Sequence, residues 1–483
     1  MMAKKQKIVI LQRDEDDLLD TDEVKEPAAG PAGKTEASLA KEQVQPKDVK
    51  VFLRTFGCQM NERDSEIIAG LLMDHGFGVA ESQDEAEVVL FNTCSVREHA
   101  EERVAGNIEK LSSLKDKKPG KMIGILGCMS QRHGESLFSR FPSLDMVVGP
   151  GNIYDMPELL REALDGKKVL AVDKLKRPKK GTDPAYRSGV FSAYVNVMYG
   201  CDNYCSYCIV PYVRGREVSR PKKDIVKEVK SLADAGFKEV ILLGQNVNSY
   251  GKGQTQKVDF PEILEAVNDI KGIERIRFTT SHPKDAGKPL FKAMRDLPKV
   301  CEHMHMCLQS GSNKILDLMN RKYTLDEYMK KVDTLREMVP GVGISTDILV
   351  GFPSEKESDY VATRMAMEDI KFNSSFIFKY SPRPPALSST LIDDVPEKIK
   401  VERNRELLEI QKEISYEINK KMVSSSQEVL VEGPSRMSKD ELVGKTRDNT
   451  SCVFKGPSDL IGKVVKVTVK GTSPFTLKSE LET

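Results

Sequence analysis

Cys58, Cys94 and Cys128 each stand directly after a short apolar segment that reads as a buried strand: RTFG-C, LFNT-C and GILG-C. The intervening stretches read as helices. ERDSEIIAGLLMDHGF (62–77) carries Ile67, Ile68, Leu71 and Leu72 at helical spacing, and a charged helix is expected from about Val96 to Leu114. MVVG (146–149) is a fourth strand. Strand and helix in alternation predict a doubly wound parallel sheet. All strand carboxyl ends of such a sheet lie on one edge, where ligands bind. Three cysteines far apart in sequence therefore converge on that edge. Three thiolates suit an iron–sulfur cluster with one open iron; the competing reading is small buried Cys suited to tight turns.

The middle region, about 190–385, offers six further strands: AYVNVMYG, EVILLG, RIRFTT, HMHMCLQ, GISTDILVG and SFIFKYS. Helical segments such as 224–235 and 325–338 lie between them. Six such units predict a partial (β/α)6 barrel, two short of a TIM barrel. A charged helix over 396–421 leads to short strands, QEVLVEG, SCVFKG and KVVKVTVKG, expected to close a small β-barrel. The fold class is thus multidomain α/β. The expected divisions are a disordered tail at 1–48, an N-terminal domain at 49–165, a linker at 166–189, a core at 190–418 and a barrel at 419–483. The tail holds 8 Lys/Arg and 11 Asp/Glu with no lasting hydrophobic period.

Immediately after the first strand of the middle region stands CDNYCSYC, placing Cys201, Cys205 and Cys208 in CxxxCxxC spacing. Zinc sites favour CxxC pairs, and zinc is the competing reading here. Three thiolates can hold three corners of a 4Fe–4S cube, leaving a fourth iron to chelate the amino and carboxylate groups of S-adenosylmethionine. Tyr207 fits a residue packing beside its adenine. Cys301, Cys307 and Cys452 lack such a pattern. Cys307 shares a strand face with His303 and His305, expected as packed barrel interior rather than a ligand trio. Cys452 reads as core.

Composition narrows the partners. Lys+Arg 74 against Asp+Glu 73 excludes a uniformly basic coat but leaves a local patch open. No apolar run reaches the ~18 residues of a membrane helix, so the protein is expected in the cytoplasm, away from membrane. Nine cysteines in that compartment point to metal or redox chemistry rather than disulfides. Neither HExxH nor a P-loop is present.

The chain resembles the radical S-adenosylmethionine methylthiotransferases, MiaB-type tRNA branch, over residues 49–483. The motifs carrying the resemblance are TFGCQMNERDSE (55–66), NTCSVREHAEERV (92–104), GCMSQ (127–131), GCDNYCSYCIVPYVRGRE (200–217), LLGQNVNSYG (242–251) and DILVGFPSE (347–355). One departure is YSPRPPALSST (380–390), where the family tends to carry Gly-Thr-Pro after YSPRP. The resemblance implies that Cys201, Cys205 and Cys208 hold the radical-generating 4Fe–4S cluster. Cys58, Cys94 and Cys128 would hold an auxiliary 4Fe–4S cluster that supplies sulfur, and the C-terminal barrel would be a TRAM-like RNA-binding domain.

The implied reaction inserts sulfur and methyl at C2 of N6-isopentenyladenosine at position 37 of the tRNA anticodon loop, using two S-adenosylmethionine per turnover. That C–H bond is unactivated, so a cofactor radical replaces acid/base chemistry, and no side-chain acid or base is assigned. Family position and strand-end placement assign Gln245, Asn246, Ser281, Gln309, Arg321 and Asp347 to S-adenosylmethionine, beside Tyr207 from the cysteine loop. Arg214, Arg216, Lys463, Lys466 and Lys470 are assigned to RNA. The partners are a tRNA anticodon stem–loop, a flavodoxin- or ferredoxin-like electron donor and a sulfur donor that the sequence does not identify. The rivals are a methylthiotransferase acting on threonylcarbamoyl-adenosine tRNA or a ribosomal protein, and an iron–sulfur RNA-binding or electron-transfer protein.

Overall fold

The computed structural model describes residues 49–95, 98–115, 120–173, 186–252, 258–436, 438 and 440–482. The tail expected at 1–48 lies outside them. The chain divides into two compact units between Ser188 and Gly189.

The first unit is built on six parallel strands: β1 (Lys50–Phe56), β2 (Gly78–Val79), β3 (Val88–Thr93), β4 (Met122–Gly127), β5 (Met146–Val148) and β6 (Val169–Ala171). Their order is β2-β1-β3-β4-β5-β6. Helix α1 (Gln59–Asp74) and the helix Met156–Leu164 cover one face through Ile67, Ile68, Met156 and Leu160. The helix Glu98–Lys115 covers the other through Val104, Ile108 and Leu111. With both faces covered, every residue of β3 and β4 is buried, as parallel sheets require. Strand ends are level: Phe56 pairs with Thr93, and Thr93 with Gly127.

Two expectations need correction. Helix α1 begins three residues earlier than its apolar period, because its first turn is mostly polar and is anchored by buried Asn61, which bonds to the end of β3. The segment 166–189 is not wholly a linker: it contains β6, Tyr186 packs on the first core, and Ser188 N–H donates to Glu66 Oε1 at 2.9 Å. Its middle, 174–185, lies outside the described residues.

The second unit carries all six expected strands: β7 (Ser192–Asn196), then, beyond a two-residue ribbon of β8 (Met198–Tyr199) and β9 (Val218–Ser219), β10 (Glu239–Leu243), β11 (Arg275–Phe278), β12 (His303–His305), β13 (Gly343–Val350) and β14 (Ser374–Lys379). They run parallel in the order β7-β10-β11 and β12-β13-β14, with the bridges Ile276–Val300 and Ser281–Met306 joining the two sets. The helix Glu397–Lys420 leads to β15 (Ser426–Pro434), β16 (Glu441–Thr446), β17 (Ser451–Lys455), β18 (Val464–Thr472) and β19 (Thr476–Leu481). These close a barrel in the order β15-β16-β17-β19-β18 around Val429, Leu442, Cys452, Phe454 and Val467. Cys452 is core, as its sequence context implies.

This small barrel is fastened to the six-stranded one. Buried Arg275 donates to the carbonyls of Lys445 and Glu428, and buried Arg277 to those of Thr446 and Arg447. Arg447 reaches back to Glu302 at 2.6 Å.

Candidate active site

Level strand ends fix the first cysteine trio. Cys94 and Cys128 directly follow β3 and β4, and Cys58 follows β1 as the residue capping α1. Neighbouring strands lie about 4.8 Å apart, so the three residues share one stretch of sheet edge. A helix N-terminus favours a thiolate, which suits Cys58 to bind metal.

Behind them lies a polar brace that the sequence reading missed. Buried Asn61 donates through Nδ2 to Asn92 Oδ1 at 3.1 Å and to the Thr93 carbonyl at 3.2 Å. Asn92 Nδ2 answers to the Asn61 carbonyl at 2.8 Å and Ser65 Oγ at 2.9 Å. Asn61 Oδ1 stands 3.4 Å from Cys58 Sγ. Its sequence signal was an Asn three residues after one cysteine and another two before the next. Gly127 has φ +87°, and a Cβ there would sit 2.3 Å from Asn92 Oδ1.

The second trio lies on the loop between β8 and β9, whose antiparallel pairing of Tyr199 with Val218 draws its two ends together. Cys201 N–H donates to the Gly215 carbonyl at 3.1 Å, and Cys208 N–H to the Cys205 carbonyl at 2.9 Å. Gly200, at φ +70°, permits the close approach: a Cβ would meet the Arg216 carbonyl at 2.2 Å. Asn203 Nδ2 lies 3.4 Å from Cys201 Sγ, and Arg321 Nη1 3.3 Å from Cys205 Sγ.

Burial, with the neighbouring Cys205 sulfur adding to it, pushes the Cys201 thiol up to about 11 and Cys208 higher still. Cys201 and Cys208, so placed, become thiolates only beside a strong cation. The donor set of the trio, with N–H groups aimed at two of the sulfurs, fits an iron–sulfur cluster.

Arg321 is the hub. Its Nε donates to Tyr323 Oη at 2.9 Å and its Nη2 to the Cys307 carbonyl at 2.6 Å. Tyr207 packs against Ile315, Met319, Phe352 and Tyr380, with its hydroxyl 3.5 Å from Arg321 Nη1. His282, also missed, brings Nε2 to 4.0 Å from Cys205 Sγ. Its Nδ1 accepts from Lys284 N–H, which leaves the proton on Nε2. Burial, followed by Arg321 and three lysines, pushes its pKa down to about 2, so the ring is neutral.

Among the other expected cofactor contacts, Gln245 Oε1 is buried with no hydrogen-bond partner among the described residues, so it is able to accept from a ligand donor. Asn246 is not open in that way. Its Nδ2 donates to Asp285 at 2.7 Å and its Oδ1 accepts from His282 N–H at 3.0 Å, so it orients His282 instead. Ser281 is buried, with Oγ 3.3 Å from Asn248 Oδ1. Gln309, at φ +74°, exchanges backbone hydrogen bonds with the strand of Asp347. Asp347 Oδ2 stands 3.4 Å from His305 Nε2 and 3.3 Å from Cys307 Sγ, so Cys307 does meet a second and third polar group.

The expected RNA contacts divide. Arg214 is 4% exposed, which removes it from the surface where RNA could reach it in this conformation. Arg216 is exposed and paired with Asp202 at 2.7 Å. Lys463, Lys466 and Lys470 are exposed on or beside β18, with Lys463 near Asp459 and Lys470 near Glu480.

Three family descriptions match the chain: uncharacterized protein family UPF0004 over residues 50–149, the radical SAM superfamily over 195–366, and the TRAM domain over 420–481. The chain is similar to the tRNA-2-methylthio-N(6)-dimethylallyladenosine synthase of Thermoanaerobacter sp. (strain X514), 44% identical over 91% of this chain and 94% of that protein. The protein of the same name from Clostridium novyi (strain NT) is 46% identical over 89% and 96%.

Among solved structures, the radical S-adenosylmethionine methyltransferase TsrM from Kitasatospora setae, with cobalamin and a 4Fe–4S cluster bound, aligns at TM-score 0.53. It has 14% identity and covers 70% of this chain and 73% of that one. The cobalamin-dependent S-adenosylmethionine radical enzyme OxsB aligns at TM-score 0.50, with 13% identity over 77% and 58%. These two likenesses show the fold. Relatives of that identity over nine-tenths of the length, carrying all three domains in order, place this chain in the family of the tRNA-2-methylthio-N6-dimethylallyladenosine synthases, radical S-adenosylmethionine methylthiotransferases.

Proposed function

We propose that the protein inserts sulfur and methyl at C2 of N6-isopentenyladenosine in the anticodon loop of tRNA. The observation carrying this reading is the pair of cysteine trios: one on the sheet edge after β1, β3 and β4, the other on the loop bound by Arg321 and Asn203. When bound, the radical-generating cluster would supply the electron that cleaves S-adenosylmethionine, and the auxiliary cluster the sulfur to be transferred.

The chain's residues hold and orient. Cys201, Cys205 and Cys208 ligate the radical-generating cluster, and Cys58, Cys94 and Cys128 the auxiliary one. Arg321 directs a fixed positive charge at Cys205 and carries it on to Cys307 and Tyr323. Gln245 offers its buried carbonyl to a donor on the cofactor. An adenine presents C2 readily from an unpaired loop, whereas a base in a duplex must first be extruded. Lys463, Lys466 and Lys470 line the outer face of the C-terminal barrel and contact RNA phosphates. A flavodoxin- or ferredoxin-like protein supplies electrons, and the reaction takes place in the cytoplasm. Among the described residues no helix is long and apolar enough to cross a membrane.

The test is incubation of the iron- and sulfide-reconstituted protein with S-adenosylmethionine, reductant and an isopentenylated anticodon stem–loop. Mass spectrometry of the nucleosides should show the 2-methylthio product. Cys205→Ala should form no 5′-deoxyadenosine, whereas Cys94→Ala should form it without transfer. Product on threonylcarbamoyl-adenosine RNA instead would move the protein to the rival substrate.

A further inference from the structure

Alternation divides the six-stranded barrel into two faces. Ala193, Val240, Ile276, Met304, Met306, Ile344, Ile348 and Ile377 belong to the large apolar core beneath the helices. Residues between them face the interior, which a closed barrel fills with Val, Ile and Leu. Here the interior wall of β12, β13 and β14 is polar and partly open. His305 pairs in register with Ser345, Ser345 with Ser374, and Asp347 with Phe376. His305 and Asp347 side chains are 14% and 28% exposed, and Phe376 is 45% exposed although it lies within a barrel strand.

The polar part is preorganised. Ser345 Oγ stands 2.9 Å from His305 Nδ1 and 3.0 Å from His303 Nε2, one hydroxyl fixing two imidazoles. That leaves His305 Nε2 toward Asp347 and Cys307, and its ring edge to face with Phe376 at 6.0 Å. Through its carbonyl, Cys307 is one arginine away from Cys205. An exposed aromatic face beside a fixed carboxylate and imidazole is the equipment that holds an unstacked nucleobase.

From this arrangement the geometry points to Phe376, Asp347 and His305 as the binding wall for the target purine of the RNA, with Phe376 stacking on the base and the other two meeting its polar edge. This assignment rests on the function proposed above and adds the place of the base. It moves Asp347 from the S-adenosylmethionine contacts to the base, since its carboxylate faces His305 and Cys307. Adenine also occurs in S-adenosylmethionine, so two sources share this chemistry. Topology favours the RNA. Among the described strands β14 pairs only with β13, and β7 only with β10, so the Phe376 end of the wall lies at the barrel's unpaired edge. A base tethered to a folded loop needs such an open side to enter.

The test uses full-length protein with both clusters, as wild type, Phe376→Ala and Phe376→Tyr. Phe376 is too exposed for its truncation to endanger the fold. Three quantities are read: methylthio transfer to isopentenylated anticodon stem–loop, 5′-deoxyadenosine formation from S-adenosylmethionine without RNA, and fluorescence of a stem–loop carrying 2-aminopurine at the target position. Removing one base-stacking aromatic should lower transfer kcat/KM by about 5- to 150-fold, while Phe376→Tyr stays near wild type. Quenching of 2-aminopurine on binding should be lost in Phe376→Ala alone, and RNA-free cleavage should change less than twofold.

Full transfer and full quenching in Phe376→Ala would overturn the assignment. So would loss of RNA-free cleavage, which would place the cofactor's adenine on the wall. A wild type that transfers nothing to isopentenylated RNA would instead refute the proposed reaction, and the 2-aminopurine comparison would still decide the wall.

Discussion

Replacing Gly127 by Ala probes how the fold places the first cysteine trio. Gly127 has φ +87° and ψ −151°, a region that residues with a Cβ enter at a cost of about 1–3 kcal/mol. The added Cβ would lie 2.3 Å from Asn92 Oδ1 and 2.7 Å from the Thr93 carbonyl. Asn92 cannot retreat cheaply, because its amide is bonded to both Asn61 and Ser65. Displacing it forfeits buried hydrogen bonds at roughly 1 kcal/mol each and moves Cys128 at the same time. The sum is about 3 kcal/mol or more for the first unit, a fall in Tm of about 6–12 °C for a domain of this size. Differential scanning calorimetry measures that fall. Iron analysis after reconstitution should show half the wild-type content, since the second trio is untouched. A variant with unchanged melting and full iron would refute both the strain and the role of the Asn61–Asn92 brace.

Arg277→Met should destabilise the second unit by about 3–5 kcal/mol in denaturant titration, because it leaves Glu239 buried without its 2.8 Å partner. Loss below 1 kcal/mol would show the pair to be dispensable. Arg321→Lys cannot reproduce three bonds to three different groups, and should lower 5′-deoxyadenosine formation at least about tenfold, measured by liquid chromatography, with folding intact by circular dichroism. Burial opposes charge on His305, but Cys307 and Asp347 outweigh it and hold its pKa well above the ordinary value. A raised pKa stabilises fully below the unfolded value of about 6.5 and loses that contribution as pH rises through the folded one. The stability gap between wild type and His305→Gln should therefore be widest near pH 6 and shrink above pH 7; a gap that grows with pH would contradict the assignment.

The strands were legible wherever they were long enough to show a period. β1, β3, β4, β10, β11 and β13 each bury four or more residues, so their positions and parallel pairing followed from sequence, while β7, β12 and β14 stood out by their spacing among helical segments. β2 and β6, of two and three residues, carry no period and were absorbed into loop and linker. The cysteines were legible because chemistry fixes their identity and strand ends fix their edge. Asn61, Asn92 and His282 were not, since a buried amide or imidazole differs from a surface one by partners remote in sequence, 31 residues between Asn61 and Asn92 and 77 between His282 and Cys205.

Arg214 shows the converse error: a basic loop residue reads as exposed until the fold buries it. HMHMCLQ is the most instructive segment. Its alternation was visible, and Met304, Met306 and Leu308 are packed as that alternation requires. The other face was expected to be packed interior as well, because filled barrels are the rule. Only the register of Asp347 with Phe376, and the exposure of that ring, distinguish a filled interior from one left open. Breaks in local rules concentrate at functional sites, and this polar period inside the barrel is the observation on which the proposed binding wall rests.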